Sequence, residues 1–216
     1  MKTLNIYETF SSIQGESTHA GRPCFFIRLA GCNLRCSYCD TKKAWCSDSG
    51  KEISIETLIQ AAHDSKLNLV EITGGEPMLQ AETPLLCRRL LEEGFEVLME
   101  TNGSRPLDSL PEKVKRIIDW KTHSSGESHQ MLPENFKNLR PWDEVKFVIA
   151  DDSDFEQALE VIRKYEIANK ATILFAPVFG SMNPDVLVKK ILEKNIPARL
   201  NLQLHKFIWG ADAEGV

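Results

Sequence analysis

Short, almost continuous apolar runs alternate with amphipathic stretches along the chain. Such runs are typical of parallel strands that are buried on both faces. They predict seven strands, at residues 24–29, 69–73, 95–100, 116–119, 145–149, 172–176 and 200–204. Apolar positions at helical spacing predict four helices between them, one beginning after Ser54 and the others at 85–93, 153–165 and 185–193. Ser54 is a suitable N-cap, and Gly94 is the glycine expected just past a helix end.

This alternation of strands and helices predicts an α/β fold with a parallel sheet and right-handed crossovers. A closed barrel of eight βα units takes about 250 residues, whereas this chain has 216 residues and two long loops, at 30–50 and near 121–142. We therefore predict a single domain, residues 1–216, that forms a partial, open TIM-like barrel of about six βα units. In such folds the functional side chains lie at the carboxyl ends of the strands.

Composition and charge narrow the class of protein. The chain has 26 Lys and Arg against 31 Asp and Glu, and 42% of its residues are hydrophobic, which excludes a disordered chain. The formal net charge of −5 gives no basic footprint for nucleic acid, and no apolar run approaches the roughly 18 residues of a membrane helix. Because the first residues also lack the apolar core of a secretory signal, we expect a soluble, cytoplasmic protein.

The six cysteines are the strongest chemical signal. Without a secretory signal, clustered cysteines indicate metal binding or catalysis rather than disulfides. Cys32, Cys36 and Cys39 follow the first predicted strand, separated by three and by two residues, and three thiolates leave one coordination position open. Cys24 or Cys46 could complete a structural zinc site, which needs four ligands, so zinc remains an alternative. The sixth, Cys87, lies in an apolar helical stretch and is predicted to be a core residue.

Thiolates are the usual ligands of iron–sulfur clusters. The spacing of the three cysteines closely resembles that of the radical S-adenosylmethionine (SAM) superfamily, and so does the aromatic Tyr38 before the third cysteine. The resemblance implies a 4Fe-4S cluster on Cys32, Cys36 and Cys39, whose free iron binds the methionine part of SAM. It also implies that reduction of the cluster cleaves SAM to a 5′-deoxyadenosyl radical.

Two turns after predicted strands extend this resemblance. Gly74-Gly75-Glu76-Pro77 resembles the superfamily's GGEP motif, whose backbone meets the amino group of SAM, although alone it reads equally well as a strand-to-helix turn. The segment 100–103 ends in Asn-Gly, a strong turn pair, and contains Thr101. The resemblance implies SAM contacts at Tyr38, Gly74, Gly75, Glu76 and Thr101.

Three further segments are similar to a narrower family, the 7-carboxy-7-deazaguanine synthases of queuosine biosynthesis. The first is the S-x-Q-G-E loop, which is part of a predicted N-terminal substrate loop at 10–22. The second is the Lys-x-x-Ser-Ser-Gly segment at 121–126, where His123 replaces the expected proline, and the third is the Q-x-H-K segment at 203–206. The resemblance covers nearly the whole chain. It implies conversion of 6-carboxy-5,6,7,8-tetrahydropterin to 7-carboxy-7-deazaguanine with loss of ammonia.

The narrower resemblance also implies roles for particular residues. Those expected to bind the pterin substrate are Ser12, Gln14, Gly15, Glu16, Arg28, Thr73 and His205, the last at the end of the last predicted strand. Arg28 lies among apolar residues and is expected to bind the substrate carboxylate or to form a structural ion pair. Lys121 and Ser124 are expected to contact SAM, and Thr41 to bind a Mg²⁺ ion whose other ligands come mostly from substrate and water.

The remaining expectations concern binding partners, two further residues and the alternative functions that the sequence leaves open. The resemblance implies a homodimer and an electron donor such as flavodoxin or ferredoxin, with no nucleic-acid or membrane partner. His123 is expected to be a loop residue, and Lys146 is either a rim contact or a buried ion pair. Two rivals are a glycyl-radical-enzyme activase or other radical SAM enzyme, which does not need the Ser-x-Gln-Gly-Glu loop, and a structural zinc module.

Overall fold

A computed structural model describes residues 2–211, 213, 215 and 216. Its strands form one sheet in the order β3-β1-β2-β4-β5-β6-β7-β8-β9. Their bounds are β1 Thr3–Ile13, β2 Pro23–Leu29, β3 Lys51–Ser54, β4 Leu69–Gly74, β5 Glu96–Thr101, β6 Lys115–Trp120, β7 Glu144–Ile149, β8 Thr172–Pro177 and β9 Ala198–Leu200. The helices are α1 Ile55–Ser65, α2 Thr83–Glu92, α3 Pro133–Lys137, α4 Asp152–Tyr165, α5 Pro184–Glu193 and α6 Leu204–Trp209.

The sheet is a partial barrel built from parallel strands. From β2 through β4 to β9 every neighbouring pair is parallel, whereas β1 pairs antiparallel with both β2 and β3. Within the described residues the sheet is open, with β3 at one edge and β9 at the other. The predicted α/β architecture with an unclosed barrel is therefore confirmed.

Most predicted elements are found where local sequence favours them. The first six predicted strands correspond to β2, β4, β5, β6, β7 and β8, and the four predicted helices to α1, α2, α4 and α5. At the start of α1, the Ser54 hydroxyl accepts a hydrogen bond of 3.1 Å from Thr57 N. Gly94 follows α2 with φ +90, as expected of a helix-ending glycine. Cys87 is fully buried in the core, as predicted.

Two predictions about the ends of the sheet were wrong. Residues 10–13 belong to β1, so the N-terminal loop begins only at Gln14. The last predicted strand, 200–204, is instead the short strand β9 followed by α6. Among the described residues β9 pairs with β8 alone, and Leu204 N donates to Gly15 O at 2.9 Å as α6 begins. The chain thus leaves the sheet after β9 and forms α6, and this helix begins with a contact to Gly15, nearly two hundred residues earlier in the sequence.

The two faces of the sheet have different surroundings. The main core lies between the sheet and its helices. On the other face, inside the partial barrel, a smaller apolar cluster fills the lower part; it consists of Cys24, Phe26, Leu69, Leu98 and Ile117, with Phe10 against it. Residues two positions further along the strands, such as Glu71 after Leu69 and Glu100 after Leu98, are polar. Because side chains alternate along a strand, these polar residues share the inner face above the apolar cluster.

Candidate active site

A cavity of about 950 Å³ lies inside the partial barrel at the carboxyl ends of the parallel strands. Its wall includes the N-terminal loop after β1, the loop between β2 and β3, and part of α6. None of the helices in the described part of the chain is long and apolar enough to span a bilayer. Most of the residues singled out in the sequence line this cavity, although they come from eight different segments.

Cys32, Cys36 and Cys39 all line the cavity from the loop after β2. The loop is tied to its own later part, since Gly31 N donates to Ala44 O at 2.8 Å and Cys32 N to Trp45 O at 3.0 Å. Burial raises the pKa of the Cys36 thiol to about 11. Metal binding must therefore displace its proton, as is usual for cysteine ligands.

The donor set matches a cluster of several irons. Cys24 is buried in the lower apolar cluster of the barrel, and Cys46 is exposed. Neither is among the residues that line the cavity. Among the described residues, no group of three His, Cys, Asp or Glu side chains is arranged to hold a single metal ion. A 4Fe-4S cluster binds each thiolate through a different iron, so three cysteines spread along a cavity wall fit it.

Gly74 and Gly75 allow the end of β4 to pack against the start of the cysteine loop. Gly75 N donates to Leu29 O at 3.0 Å, and Glu76 N donates to Gly31 O at 2.8 Å. A Cβ on Gly75 would lie 2.5 Å from the carbonyl carbon of Gly31 and closer still to its oxygen. Gly74 has φ +145, and a Cβ there would collide with the Leu29 backbone. Both glycines line the cavity, so any contact that they make with a ligand there is a backbone contact.

The side chain of Glu76 is fully buried and lies outside the cavity wall. Its carboxylate accepts hydrogen bonds from the Thr101 hydroxyl at 2.8 Å, from Asn102 N at 2.7 Å and from Met78 N at 2.9 Å. Burial raises the pKa of this carboxyl group, while these hydrogen bonds oppose the rise. The carboxylate therefore joins the ends of β4 and β5, and only the backbone of Glu76 remains for a contact with a cofactor.

Lys121 places a cation on the wall, after β6. Its Nζ lies 2.7 Å from Asp119 Oδ2, and both residues line the cavity. Burial alone would lower the pKa of Lys121, but the Asp119 carboxylate raises it above its ordinary value. Lys121 is thus charged, and the second oxygen of its partner, Asp119 Oδ1, is buried with no hydrogen-bond partner among the described residues.

Ser124 and Ser12 are not brought to the cavity wall. Ser124 lies beside the cysteine loop, where its carbonyl accepts a hydrogen bond of 2.5 Å from the Ser37 hydroxyl and its N–H donates to Asp154 Oδ1 at 2.9 Å. Ser12 belongs to β1, and its hydroxyl is buried with no hydrogen-bond partner among the described residues. His123 is exposed in a short turn, as expected of a loop residue.

Gln14 and Glu16 are oriented by partners on several elements. Gln14 donates through Nε2 to Glu71 of β4 and accepts from Glu16 N at 2.5 Å. The Glu16 carboxylate accepts from Asn201 Nδ2 at 3.0 Å and from Gln203 Nε2 at 2.9 Å. These bonds join the loop after β1 to the segment between β9 and α6.

His205 packs directly on Gly15. A Cβ on Gly15 would lie 3.1 Å from His205 Cγ and closer still to Nδ1, so the position has no room for a side chain. His205 lies in α6 rather than at the end of a strand, yet it still lines the cavity. Burial lowers the pKa of His205, so its imidazole is neutral at pH 7.

Arg28 and Thr73 also line the cavity, together with Gln14, Glu16 and His205. Arg28 Nε donates to Glu8 Oε1 at 2.9 Å, and its guanidinium lies 5.7 Å from the centroid of the Phe10 ring. The ion pair uses one of five N–H donors, so it is compatible with a second carboxylate on the cavity side. The Thr73 hydroxyl donates to Glu100 Oε2 at 3.2 Å.

Thr41 and Asp40 form the oxygen-bearing part of the cysteine loop. The Thr41 hydroxyl donates to Asp40 Oδ1 at 3.1 Å, and both residues line the cavity. The other carboxylate oxygen of Asp40 accepts from Lys206 Nζ at 2.8 Å and from Gln203 Nε2 at 3.0 Å. α6 is therefore linked to the cysteine loop by charge-assisted bonds.

Several polar residues of the wall were not singled out from the sequence. The most buried is Glu71, whose pKa is raised by burial and by the nearby charge of Glu100. Glu100 itself has its pKa held below the ordinary value by Lys146, although burial acts in the other direction. The sequence could have indicated that Glu71 lines the cavity, because alternate residues of a strand share a face and Glu71 lies between Leu69 and Thr73 on that face. Lys146, which the sequence analysis did single out, satisfies both alternatives left open there, since it forms buried ion pairs and also lines the cavity.

Comparisons with known proteins agree with this geometry. Residues 26–191 match the model of the Radical SAM superfamily. The fold resembles a crystal structure of QueE from Escherichia coli, with a TM-score of 0.79 and 24% identity over 94% of this chain and 95% of that one. It also resembles Streptococcus suis SuiB bound to the precursor peptide SuiA, with a TM-score of 0.57 and 17% identity over 79% of this chain and 46% of that one. The fold and the three-cysteine site thus define a radical SAM protein.

Sequence relatives narrow the assignment. The 7-carboxy-7-deazaguanine synthase of Koribacter versatilis is 40% identical over 230 residues, covering 99% of this chain and 100% of the relative. The 7-carboxy-7-deazaguanine synthase of Chlorobaculum tepidum is 42% identical over 216 residues, covering 99% of this chain and 97% of the relative. The chain belongs to the 7-carboxy-7-deazaguanine synthase family. It is therefore an enzyme, and its family implies a 4Fe-4S cluster and SAM as cofactors.

Proposed function

We propose that the chain converts 6-carboxy-5,6,7,8-tetrahydropterin to 7-carboxy-7-deazaguanine with loss of ammonia, a carbon–nitrogen lyase reaction of queuosine biosynthesis. The observation that carries the proposal is that Gln14, Glu16, Arg28 and His205 line the same cavity as the three cysteines. A radical SAM enzyme for a different substrate needs the cysteines but not this second set of side chains. All 216 residues form one radical SAM core domain under this proposal.

Cys32, Cys36 and Cys39 hold the cluster, and the adjoining wall of Tyr38, Gly74, Gly75, Thr101 and Lys121 receives SAM. When bound, these cofactors supply the hydrogen-abstracting chemistry at C6 of the substrate, while the protein orients the reactants. Glu76 and Ser124 act behind this wall, the first by joining β4 to β5 and the second by contacting the cysteine loop.

A second group of residues on the same cavity wall matches the polar groups of a carboxylated pterin. Arg28 offers its remaining N–H donors to the carboxylate, because a guanidinium fork pairs with two carboxylate oxygens. Glu16 is an acceptor for ring and amino N–H groups, and the oriented amide of Gln14 extends this edge. Gly15, Thr73 and the neutral His205 complete the wall. Holding C6 at a fixed position by these contacts is the main contribution of the chain to the rate.

Thr41 supplies one oxygen ligand for Mg²⁺ under this proposal. Its hydroxyl lies on the cavity wall beside the carboxylate of Asp40, and oxygen ligands are the kind that Mg²⁺ prefers. One hydroxyl is too little for an octahedral ion, so the substrate and water complete the shell. Omission of Mg²⁺ is then expected to raise the substrate KM, and Thr41→Ala to remove much of that metal dependence.

The proposal extends to partners and location. A flavodoxin- or ferredoxin-type protein reduces the cluster, and the enzyme is a cytoplasmic homodimer without nucleic-acid or membrane partners. Support for the dimer comes from Phe207, Ile208 and Trp209, which are exposed on α6 and do not line the cavity. Light scattering of the purified enzyme measures the mass directly, and a monomer of 24.4 kDa would contradict the dimer.

The decisive experiment is an anaerobic assay of the reconstituted enzyme with SAM, dithionite, Mg²⁺ and 6-carboxytetrahydropterin, with products identified by mass spectrometry. Formation of 7-carboxy-7-deazaguanine is the expected result, with the Cys36→Ala variant as the inactive control. If 5′-deoxyadenosine appears without that product, the substrate assignment is wrong and the activase alternative becomes the next to test. Iron and sulfide analysis of the same sample separates the cluster from zinc.

A further inference from the structure

Lys146 occupies a central place among the charges of the cavity wall. It lies on β7 directly opposite Asp119 of β6, and its side chain is only 7% exposed. The side-chain alternation of β7 directs it into the partial barrel, above the apolar cluster at the bottom. A lysine in such a place needs carboxylate partners, because an unpaired buried charge is costly.

Three acidic side chains from three separate segments surround its ammonium group. Lys146 Nζ lies 3.1 Å from Glu16 Oε2 in the N-terminal loop and 3.7 Å from Asp119 Oδ2, and it donates a hydrogen bond to Glu100 Oε1 of β5. A fourth carboxylate, that of Glu71, is close enough for Lys146 to affect its pKa. Lys146 thus balances the carboxylates of Glu16 and Glu100, which would otherwise repel one another, while Asp119 pairs more closely with Lys121.

Each partner leads to a different part of the proposed site. Glu16 belongs to the wall assigned to the pterin, Glu100 accepts the hydrogen bond of Thr73, and Asp119 pairs with Lys121 on the SAM side. Asn201 and Gln203 also hold the Glu16 carboxylate, but both are neutral amides. Lys146 therefore supplies the positive charge that keeps Glu16 and Glu100 close together.

We propose that Lys146 is a positioning residue for the pterin, which acts by holding the carboxylates of Glu16 and Glu100 in their places on the cavity wall. This inference rests on the proposed function, since it assumes that Glu16 contacts the substrate. The lysine itself need not touch the substrate or the reacting atoms. Its loss is expected to weaken substrate binding without preventing cluster assembly.

A buried ion pair at the amino ends of β6 and β7, away from the carboxyl ends that carry the cavity, provides a matched control. Arg116 and Asp143 form a salt bridge in which both side chains are almost completely buried. Neither residue lines the cavity. Arg116→Met removes a buried cation from its carboxylate as Lys146→Met does, while Arg140 remains as a second partner of Asp143 at 3.2 Å, so this variant tests the general effect of losing a buried cation away from the cavity.

The experiment compares Lys146→Met, Lys146→Arg and Arg116→Met with the wild-type holoenzyme. The Kd of 6-carboxytetrahydropterin is measured by anaerobic calorimetry without reductant, and KM and kcat are measured in the product assay. Loss of one charge-assisted interaction predicts a rise of at least about tenfold in Kd and KM for Lys146→Met. A smaller change is expected in kcat and in the Kd of SAM. Lys146→Arg is expected to regain most of the affinity, and Arg116→Met to lose stability only.

A folded Lys146→Met enzyme with wild-type substrate affinity would overturn the inference. An equal loss of affinity in Arg116→Met would do the same, because it would show a general effect of destabilisation. If Lys146→Met does not fold, Lys146→Met/Glu100→Gln removes the cation and its bonded charge together, and it is compared with Glu100→Gln alone. The same calorimetry tests the proposed function separately, since a wild-type enzyme that fails to bind the pterin contradicts the function rather than the role of Lys146.

Discussion

Gly75→Ala tests whether the close approach of β4 to the cysteine loop is needed for cofactor binding. The added Cβ would lie 2.5 Å from the carbonyl carbon of Gly31 and 2.9 Å from Ala44 O, whereas ordinary contacts begin at 3.4 Å. Both obstacles are backbone atoms, so no side-chain rotation relieves the overlap. The β4 end and the loop must separate, which lengthens the hydrogen bonds from Gly75 N to Leu29 O and from Glu76 N to Gly31 O.

The size of the effect follows from these contacts. Two weakened hydrogen bonds cost about 1 kcal/mol each, and overpacking adds about 1–3 kcal/mol. A total of about 3–5 kcal/mol corresponds to a fall in Tm of roughly 6–20 °C for a domain of this size. Since Gly31 immediately precedes Cys32, we also expect less iron per chain and weaker SAM binding.

Gly94→Ala is the matched control. Gly94 has φ +90 with no atom within 4 Å of a new Cβ, so alanine there costs only backbone strain of about 1–2 kcal/mol. Thermal unfolding, iron analysis and SAM titration are carried out on both variants. If Gly75→Ala retains full iron and loses no more Tm than Gly94→Ala, the proposed packing between β4 and the loop is wrong.

Three further predictions concern the cluster, the substrate and acid stability. Cys36→Ala is expected to abolish iron binding and SAM cleavage together, and an intact cluster in this variant would refute the ligand assignment. Arg28→Lys is expected to weaken pterin binding while leaving SAM binding unchanged, because lysine lacks the bidentate fork; Glu8→Gln, which removes the ion-pair partner but keeps the fork, serves as its control in titrations. The hydrogen bond from Arg22 lowers the pKa of Glu96 to about 2, from an ordinary value of 4.5. The stability from this pair is therefore present above pH 4.5 and lost as the pH falls towards 2. Glu96→Gln should show a shallower loss of urea resistance over that interval, and an unchanged slope would count against the pair.

The parts of the fold that sequence analysis predicted correctly are those specified by local patterns. Burial on both faces makes each central strand an apolar run, and Ser54 and Gly94 mark helix ends through contacts with their immediate neighbours. β1 was not predicted because its lower half packs Leu4 and Ile6 inside, while Ser11 and Ser12 interrupt the apolar pattern further along. α6 was missed because its first N–H bonds to Gly15, a contact that no local window contains.

The same division holds for the site. Loops that follow parallel strands meet at one edge of the sheet, so the cysteine loop, the two glycines and Lys121 were expected to be close. The positions of these loops do not determine whether a given side chain points into the cavity or away from it. Glu76 directs its carboxylate between β4 and β5, and Ser124 lies behind the cysteine loop, although both belong to motifs of the site.

The sequence by itself determined the alternation of the central parallel strands with α1, α2, α4 and α5, the open barrel, and the presence of three cysteines on one loop, because these depend on spacing and on burial along the chain. Only the tertiary structure decided which charges meet. Glu16, Glu100 and Lys146 are far apart in sequence, and nothing in the local sequence around any of them indicates that their side chains meet. Their contact depends on how tightly the sheet curves and on where the loop after β1 and the segment after β9 pack against it. Both are determined by packing across the whole domain.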